Sequence, residues 1–449
     1  MLSPHRPKFS PIVFYFLMFD TTLLFDQVTD TSTPLSLALL HACPFDLLVA
    51  VTQKAELRMR LDANRRNLSL DIARHYVGTG RAVIARGVIE ISENKTMLVR
   101  YPEFSLRPGS DDITVTSEFI ASLGLRPGLM LECEVGVSEK DRSLITARIL
   151  TIEGIPAEEW KTPIDYEELT PIYPKRRVFL DGINFSAIPS RAVDILAPIG
   201  LGQRGLIAAA PRTGKTMMLK TLALAITKNA PDIHLMLLLV DERPEEVTDF
   251  QRELNCEIYA STFDEQPVRH VQICEAVNER AKRLVELGKD VIILVDSITR
   301  VSRGYNNLQP SGRTMSGGVD AKALARPRKF FGSARNTEEG GSLTILATAL
   351  IGTESKMDDL IFEEFKGTGN MEIFLDRSIA DLRIFPAINV AQTATRHEDL
   401  LYHPDEYERI VGIRRKLAEM PAAEAIEILI SNLNHTRSNI ELLMTGLRY

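Results

Sequence analysis

The spacing of apolar positions changes character along the chain. Between about residues 52 and 77, "TQKAELRMRLDANRRNLSLDIARHYV" places leucines three and four apart among charges, which predicts one or two short amphipathic helices. From 81 to 153 the texture becomes short β-branched runs, "RAVIARGVIEI", "TMLVR", "DDITVT", "LECEVGV" and "SLITARILTIE", separated by "RPGS", "LRPG" and "SEKDRS". Five short strands with turn chemistry between them predict a small barrel, and the oligonucleotide-binding (OB-fold, cold-shock-like) type is the commonest of that description. After 178, continuous apolar runs, "IHLMLLLV", "VIILV" and "LTILATAL", alternate with helical stretches such as "KTMMLKTLALAITKN". Continuous runs are what a parallel sheet covered on both faces requires.

These changes divide the chain into an unassigned extension at 1–50, a small helical module at 51–80, a barrel at 81–153, a proline-rich linker at 154–177 and an α/β domain at 178–449. The fold class is therefore multi-domain α/β with an N-terminal β-barrel. Near the start, "PIVFYFLMF" follows His5, Arg6 and Lys8, like the basic and apolar parts of a secretory signal. No small-residue cleavage site follows closely, and the run falls short of the roughly 20 residues that a membrane-spanning helix needs. Residues 1–50 are read as a poorly ordered extension, or as a product of where translation is taken to begin. No membrane partner is expected.

Composition narrows the picture only a little. Of 449 residues, 45% are apolar and 25% charged, the balance of an ordinary globular protein, and the net charge of −7 argues against coating duplex nucleic acid with a broad basic surface. Cys43, Cys133, Cys256 and Cys274 are scattered without a CxxC pair, and the histidines form no HExxH. Neither a disulfide framework nor a zinc site is supported, and a reducing, cytoplasmic setting is the expectation.

The chemistry concentrates at "AAAPRTGKTMMLK". Read against G-x-x-x-x-G-K-[ST], Ala209 stands where the first glycine belongs, but Gly214, Lys215 and Thr216 follow in register. An apolar run precedes them and a helix follows, so Lys215 is set to reach phosphates, Thr216 to hold magnesium, and the helix N-terminus to face the anion. Two further apolar strands each end in acid: "LLLVDERPEEV" in Asp241 and Glu242, "VIILVDSITR" in Asp296. Carboxylates at strand ends behind a phosphate loop divide the work between orienting a metal and activating water.

At "LLLVDERPEEVTDFQREL", "VIILVDSITRVSRGYNN" and the long stretch from "SGGVDAKALARPRKFFGSARNTEEGG" to "DLRIFPAIN", the chain closely resembles the bacterial transcription termination factor Rho family. The resemblance runs from about 81 to the C-terminus. It implies a RecA-like ATPase using ATP and Mg2+, assembled as a homohexamer, that grips single-stranded RNA, translocates 5′ to 3′ and dislodges RNA polymerase. By the same resemblance Glu242 activates water, Asp296 is the second acidic group, and Arg212, Thr213, Gly214, Lys215, Thr216, Met217 and Arg243 surround the nucleotide. Phe385 in "RIFPAIN" would stack on adenine. Arg396 in "QTATR" matches an arginine finger inserted by a neighbouring subunit, and Arg383 a second interfacial arginine. Two pore loops map to 308–320 and 352–358, where Arg313 and Lys356 would touch RNA phosphates.

The barrel departs from the family pattern. Thr96 and Leu98 stand in "NKTMLVR" where the family carries two aromatic platforms, Thr114 where it has tyrosine, and Ser143 at a further aromatic position. Arg100 and Asp112 survive at matching positions, offering a phosphate contact and a hydrogen bond. Base stacking is worth about 1–3 kcal/mol per base, so weak or altered RNA preference is the expectation. Tyr101 and Phe104 lie nearby, to pack under the barrel or else to replace the lost rings from another strand, and Trp160 is read as a packing anchor. Two other readings share the engine: an F1-like rotary or secretion ATPase, and an RNA-binding ring that does not hydrolyse ATP.

Overall fold

The computed structural model describes residues 21–309, 318–320 and 322–448; the side chains of 21–23 are outside that description. The chain divides into two compact units, Met1–Pro163 and Ile164–Tyr449.

In the first unit, strands Val83–Ile91, Met97–Arg100, Ile113–Thr114, Leu144–Ile152 and Met130–Val137 pair in that order, and Met130–Val137 pairs back onto Val83–Ile91. That closure makes a five-stranded barrel and removes the sheet edges. Its interior is filled by Val83, Ala85, Ile89, Val99, Tyr101, Leu131, Cys133 and Ile149. The alternation of these residues with polar ones is what made the strands legible.

Residues 21–50 are not a separate extension. Helices Thr21–Thr29, Leu37–Ala42 and Phe45–Lys54 join Arg65–Gly78 in one layer, and Val28, Leu37, Leu40, Leu48 and Val51 share the barrel's apolar core. Leu35–Ser36 even adds a short parallel strand beside Val83–Ile84. The helical module thus begins well before residue 51, because these leucines have an apolar surface to cover.

The proline-rich stretch 154–177 is likewise divided between the units. Ile155–Pro156 pairs with the end of Leu144–Ile152, and Trp160 Nε1 donates to Leu123 O at 3.1 Å. Beyond Pro163, buried Tyr166 donates to Ser333 O, and Pro171–Ile172 pairs with Asn336–Thr337. Prolines sit here at edge positions where a missing N–H costs no ladder bond.

The second unit is a sheet of six parallel strands in the order Glu257–Thr262, His234–Glu242, Asp290–Asp296, Ser342–Leu350, Arg204–Ala209, Met371–Leu375, with short Ala394–Thr395 antiparallel at the end. Helix Lys215–Asn229 and the C-terminal helices Pro404–Ala418 and Ala422–Asn434 cover one face through Leu219, Leu222, Ile410 and Leu429. Helices Pro267–Glu286 and Ile298–Asn307 pack on the sheet as well. Coverage explains the unbroken apolar strands. It also gathers the strand C-termini at one end, where loops are free to carry chemistry.

Candidate functional site

Strand Arg204–Ala209 leads into the phosphate loop. Ala209 is fully buried in the ladder, in register with Leu350 and Leu375, so the pattern's first glycine position is a strand residue here and accommodates a Cβ. Gly214 has φ 87, a conformation that L side chains rarely adopt, and opens helix Lys215–Asn229. Thr213 Oγ1 donates to Ala210 O at 2.7 Å, and Arg377 Nη1 donates to Pro211 O at 2.9 Å. The loop is therefore tied from inside and from a neighbouring helix, with the positive end of the long helix behind it.

Lys215, Glu242 and Asp296 converge. Lys215 Nζ is 2.5 Å from Asp296 Oδ1 and 3.3 Å from Glu242 Oε1. A bulge between Val240 and Glu242, with Asp241 at φ 58, leaves Asp241 partly exposed and Glu242 only 3% exposed. Arg300, one turn into helix Ile298–Asn307, reaches Glu242 Oε1 at 2.9 Å and also donates to Asp241 O. Burial is the main cause that pushes the Glu242 carboxyl above its usual range; Asp296 adds to it, while Lys215 and Arg300 oppose it. A carboxylate held this way is a stronger base than a solvated one.

Asp296 is almost fully buried, and Thr348 Oγ1 donates to its Oδ1 at 2.9 Å. Its Oδ2 has no hydrogen-bond partner among the described residues. No cluster of three or more metal-ligating side chains occurs among the described residues. One carboxylate oxygen in need of a partner, with a part-exposed Thr216 next to Lys215 in the first turn of the helix, suits magnesium, which prefers one or two protein oxygens plus phosphates and water.

Other expected nucleotide contacts border the same loop. Phe385 is half exposed, and its ring edge lies 3.5 Å from where a Cβ on Gly214 would stand. Met217, Arg212 and Arg243 are exposed, and Arg243 precedes helix Pro244–Glu253. Arg383 is exposed two residues from Phe385, at φ 63.

Arg396 is elsewhere. It follows Ala394–Thr395, whose partners Met371 and Glu372 begin their strand, whereas Ala209 and Leu375 at the strand ends adjoin the phosphate loop. The exposed Arg396 thus sits at the opposite end of the sheet from Lys215 of its own chain.

Residues 310–317, and Arg313 with them, lie outside the described residues. Lys356 is exposed at the start of helix Lys356–Lys366 and lines a cavity of about 610 Å³ with Arg303, Asn307, Ser355 and Met357. Buried Asp358 holds this loop: it pairs with Arg303 through contacts of 2.7 Å and accepts from Thr353 Oγ1 at 2.6 Å. Arg300, Arg303, Asp358 and Thr348 escaped sequence reasoning. Arg300 and Arg303 are one turn apart on a helix that begins right after Asp296, but their partners are distant in sequence.

In the barrel, Arg100 and Asp112 turn inward. Arg100 is 6% exposed and pairs with Glu90 at 2.5 Å and Asp112 at 2.9 Å, while Arg66 holds the other Asp112 oxygen at 2.8 Å. The two residues expected to offer a phosphate contact and a base hydrogen bond are thus engaged in a local ion-pair network with Glu90 and Arg66. Tyr101 is buried with its hydroxyl on Asp111 O, and Phe104 packs edge-on to His41. Thr96 is exposed and Leu98 half-buried, with Thr114 opposite Leu98.

Comparison with known proteins adds three observations. The model of the ATP synthase alpha/beta family, nucleotide-binding domain, matches residues 190–395. Among curated proteins, transcription termination factor Rho of Akkermansia muciniphila is 45% identical over 90% of this chain and 86% of its own length; that of Cereibacter sphaeroides is 46% identical over 89% and 95%; that of Aquifex aeolicus is 47% identical over 81% and 84%. A solved ATPase from the type III secretion system of pathogenic bacteria superposes with a TM-score of 0.52 at 20% identity, covering 61% of this chain and 85% of that one, a likeness of fold.

Proposed function

Because this chain belongs to the transcription termination factor Rho family, we propose that it works as a six-membered ring that hydrolyses ATP on single-stranded RNA, moves 5′ to 3′ and releases the transcript from RNA polymerase. That it is a termination factor with an ATPase domain is the premise; ring, RNA dependence, direction and a cytoplasmic setting are the proposal. No helix among the described residues is long and apolar enough to cross a membrane.

The observation that carries the reading is the division of the site between two ends of one sheet. Lys215, Glu242 and Asp296 converge at the strand C-termini, and Arg396 stands exposed at the other end. An arginine so placed cannot serve its own phosphate loop, but it suits the loop of a neighbour packed head to tail, and head-to-tail packing closes into rings.

When ATP binds, Lys215 exchanges its carboxylate partners for the phosphates. Glu242, oriented by Arg300, then accepts the proton of the water that attacks the γ-phosphorus, and the bond to ADP breaks. Bound magnesium would neutralise phosphate charge, held by Thr216 and Asp296. The neighbour's Arg396 stabilises the charge spread over the transferring group, which makes turnover depend on assembly. Lys356, on its Asp358-pinned loop, and Arg313 are proposed to touch RNA phosphates in the channel.

Hydrolysis measured with poly-cytidine, with poly-uridine and without RNA tests this. Stimulation by RNA is the expected result. Equal rates in all three would point to a secretion or rotary engine, and no turnover at all to a passive ring.

A further inference from the structure

The backbone that carries Arg396 is bonded to the main chain of Asn370, whose side chain is in turn held by Gln203 and Arg204. Asn370 O accepts from Arg396 N at 2.8 Å. Asn370 Oδ1 accepts from Gln203 Nε2 at 2.6 Å and from Arg204 N at 2.8 Å, and Asn370 N donates to Arg204 O at 3.0 Å. Gln203 Nε2 also donates to Asn370 O at 3.0 Å. Every hydrogen bond of this cluster is made between the start of strand Arg204–Ala209, Asn370 and Arg396.

The Arg204 side chain is fixed as well. Its Nε donates to Thr368 O at 3.1 Å and its Nη1 to Ala334 O at 3.0 Å. Burial lowers its hold on the proton, and the charges of Arg335 and Arg396 lower it further, so the three guanidinium groups feel one another. Arg204 is tied to carbonyls and cannot retreat. Arg396, which is exposed, is the one free to turn away from the body of its own chain.

We propose that Asn370 and Arg204 form a socket for Arg396: Asn370 fixes its backbone, and the immobile charge of Arg204 aims its side chain outward at the neighbouring protomer's nucleotide. Both are positioning residues. The assignment rests on the reading of Arg396 as an arginine acting in trans. It adds a consequence: the socket and the chain's own phosphate loop are opposite ends of one strand, about 17 Å apart at the usual strand rise, so the strand ties one nucleotide site rigidly to the next.

Misplacing a catalytic group by about 1 Å costs on the order of 100-fold, so Asn370→Ala is expected to lower kcat for RNA-stimulated hydrolysis by about 10- to 100-fold with KM for ATP little changed. Asn370→Asp keeps both acceptors and is expected to stay near the parent rate. Equal loss in both variants would overturn the socket. The deciding measurement mixes full-length chains. Asn370→Ala chains keep a sound phosphate loop, and Lys215→Ala chains keep a sound socket, so mixed assemblies are expected to hydrolyse ATP faster than either alone.

The control mixes Arg396→Ala with Lys215→Ala. Should this control regain activity while the Asn370→Ala mixture does not, the socket is wrong and the trans reading stands. Should neither mixture regain activity, the trans reading falls and the socket with it. Gln203→Leu, which removes the other side chain bonded to Asn370, carries the same test if Asn370→Ala does not assemble.

Discussion

The ammonium of Lys215 lies 2.5 Å from Oδ1 of Asp296, so the residue expected to bind phosphate is held by the residue expected to hold metal. Thr348 shares the same oxygen, which leaves Oδ2 alone in need of a partner. The arrangement gives a buried carboxylate an ammonium partner, for which phosphates carrying more charge would compete.

Asp296→Asn removes the charge but keeps the shape. Transition-state charge stabilisation depends on such preorganised groups, and losing one costs about 100- to 1,000-fold in kcat. Hydrolysis is expected to fall by that order. Stability without nucleotide should fall, since removing one partner of a buried ion pair leaves the Lys215 ammonium with Glu242 alone. Steady-state turnover and a thermal melt of the same preparation check both halves.

Glu242 gives the acid limb of the pH profile. Its carboxyl is raised, by burial first and by Asp296 second, so the basic form is lost as pH falls through a value above the ordinary glutamate range near about 4.3. Arg300 opposes that rise, so Arg300→Gln is expected to move the acid limb to still higher pH. A limb that stays in place would show that Arg300 does not act on this carboxylate. Glu242→Gln should leave no turnover to titrate.

His41 sets a second pH dependence, in the N-terminal unit. It is buried between Asp111 at 2.7 Å and Glu103 at 3.0 Å, with Arg66 on the far oxygen of Asp111 and Arg65 on its own carbonyl. Burial works against its charge, but the hydrogen bonds and charges of Asp111 and Glu103 more than offset it, and its pKa is raised. A raised histidine contributes stability that is full below its unfolded value near about 6.5 and is lost as pH rises through the folded value. Hydrogen exchange in Leu37–Ala42, corrected for intrinsic rates, should therefore show protection falling above neutral pH. In His41→Gln that dependence should vanish.

How far this was legible in sequence depended on whether the signal was local. The five barrel strands and the parallel sheet announced themselves because alternation and unbroken apolar runs report burial on one face or two. The leucines at 37, 40 and 48 carried a helical period too, but nothing local shows that a barrel waits to cover them. Lys215, Glu242 and Asp296 were found because each sits beside a strand end or glycine turn. Arg300, Thr348 and Asn370 were not, because their meaning lies in partners 52 to 167 residues away. The ion pairs that Arg100 and Asp112 make with Glu90 and Arg66 were not legible either, because Arg66 lies 46 residues from Asp112 on a different element.

The barrel face that remains can be made to test its own losses. Thr96 is exposed and Leu98 half-buried beside Thr114, so aromatic rings placed at 96 and 98 would extend from the surface rather than into the core, which Val99 and Tyr101 fill. Each stacked base is worth about 1–3 kcal/mol, or roughly 5- to 150-fold in affinity. Thr96→Phe with Leu98→Phe is therefore expected to tighten binding of a short pyrimidine oligonucleotide to the full chain by at least about tenfold. The gain should survive added salt better than the parent's binding does, because stacking releases no counterions. Fluorescence anisotropy at two salt concentrations measures both quantities. If the parent already bound as tightly as the double variant, the missing rings would not be what limits this barrel.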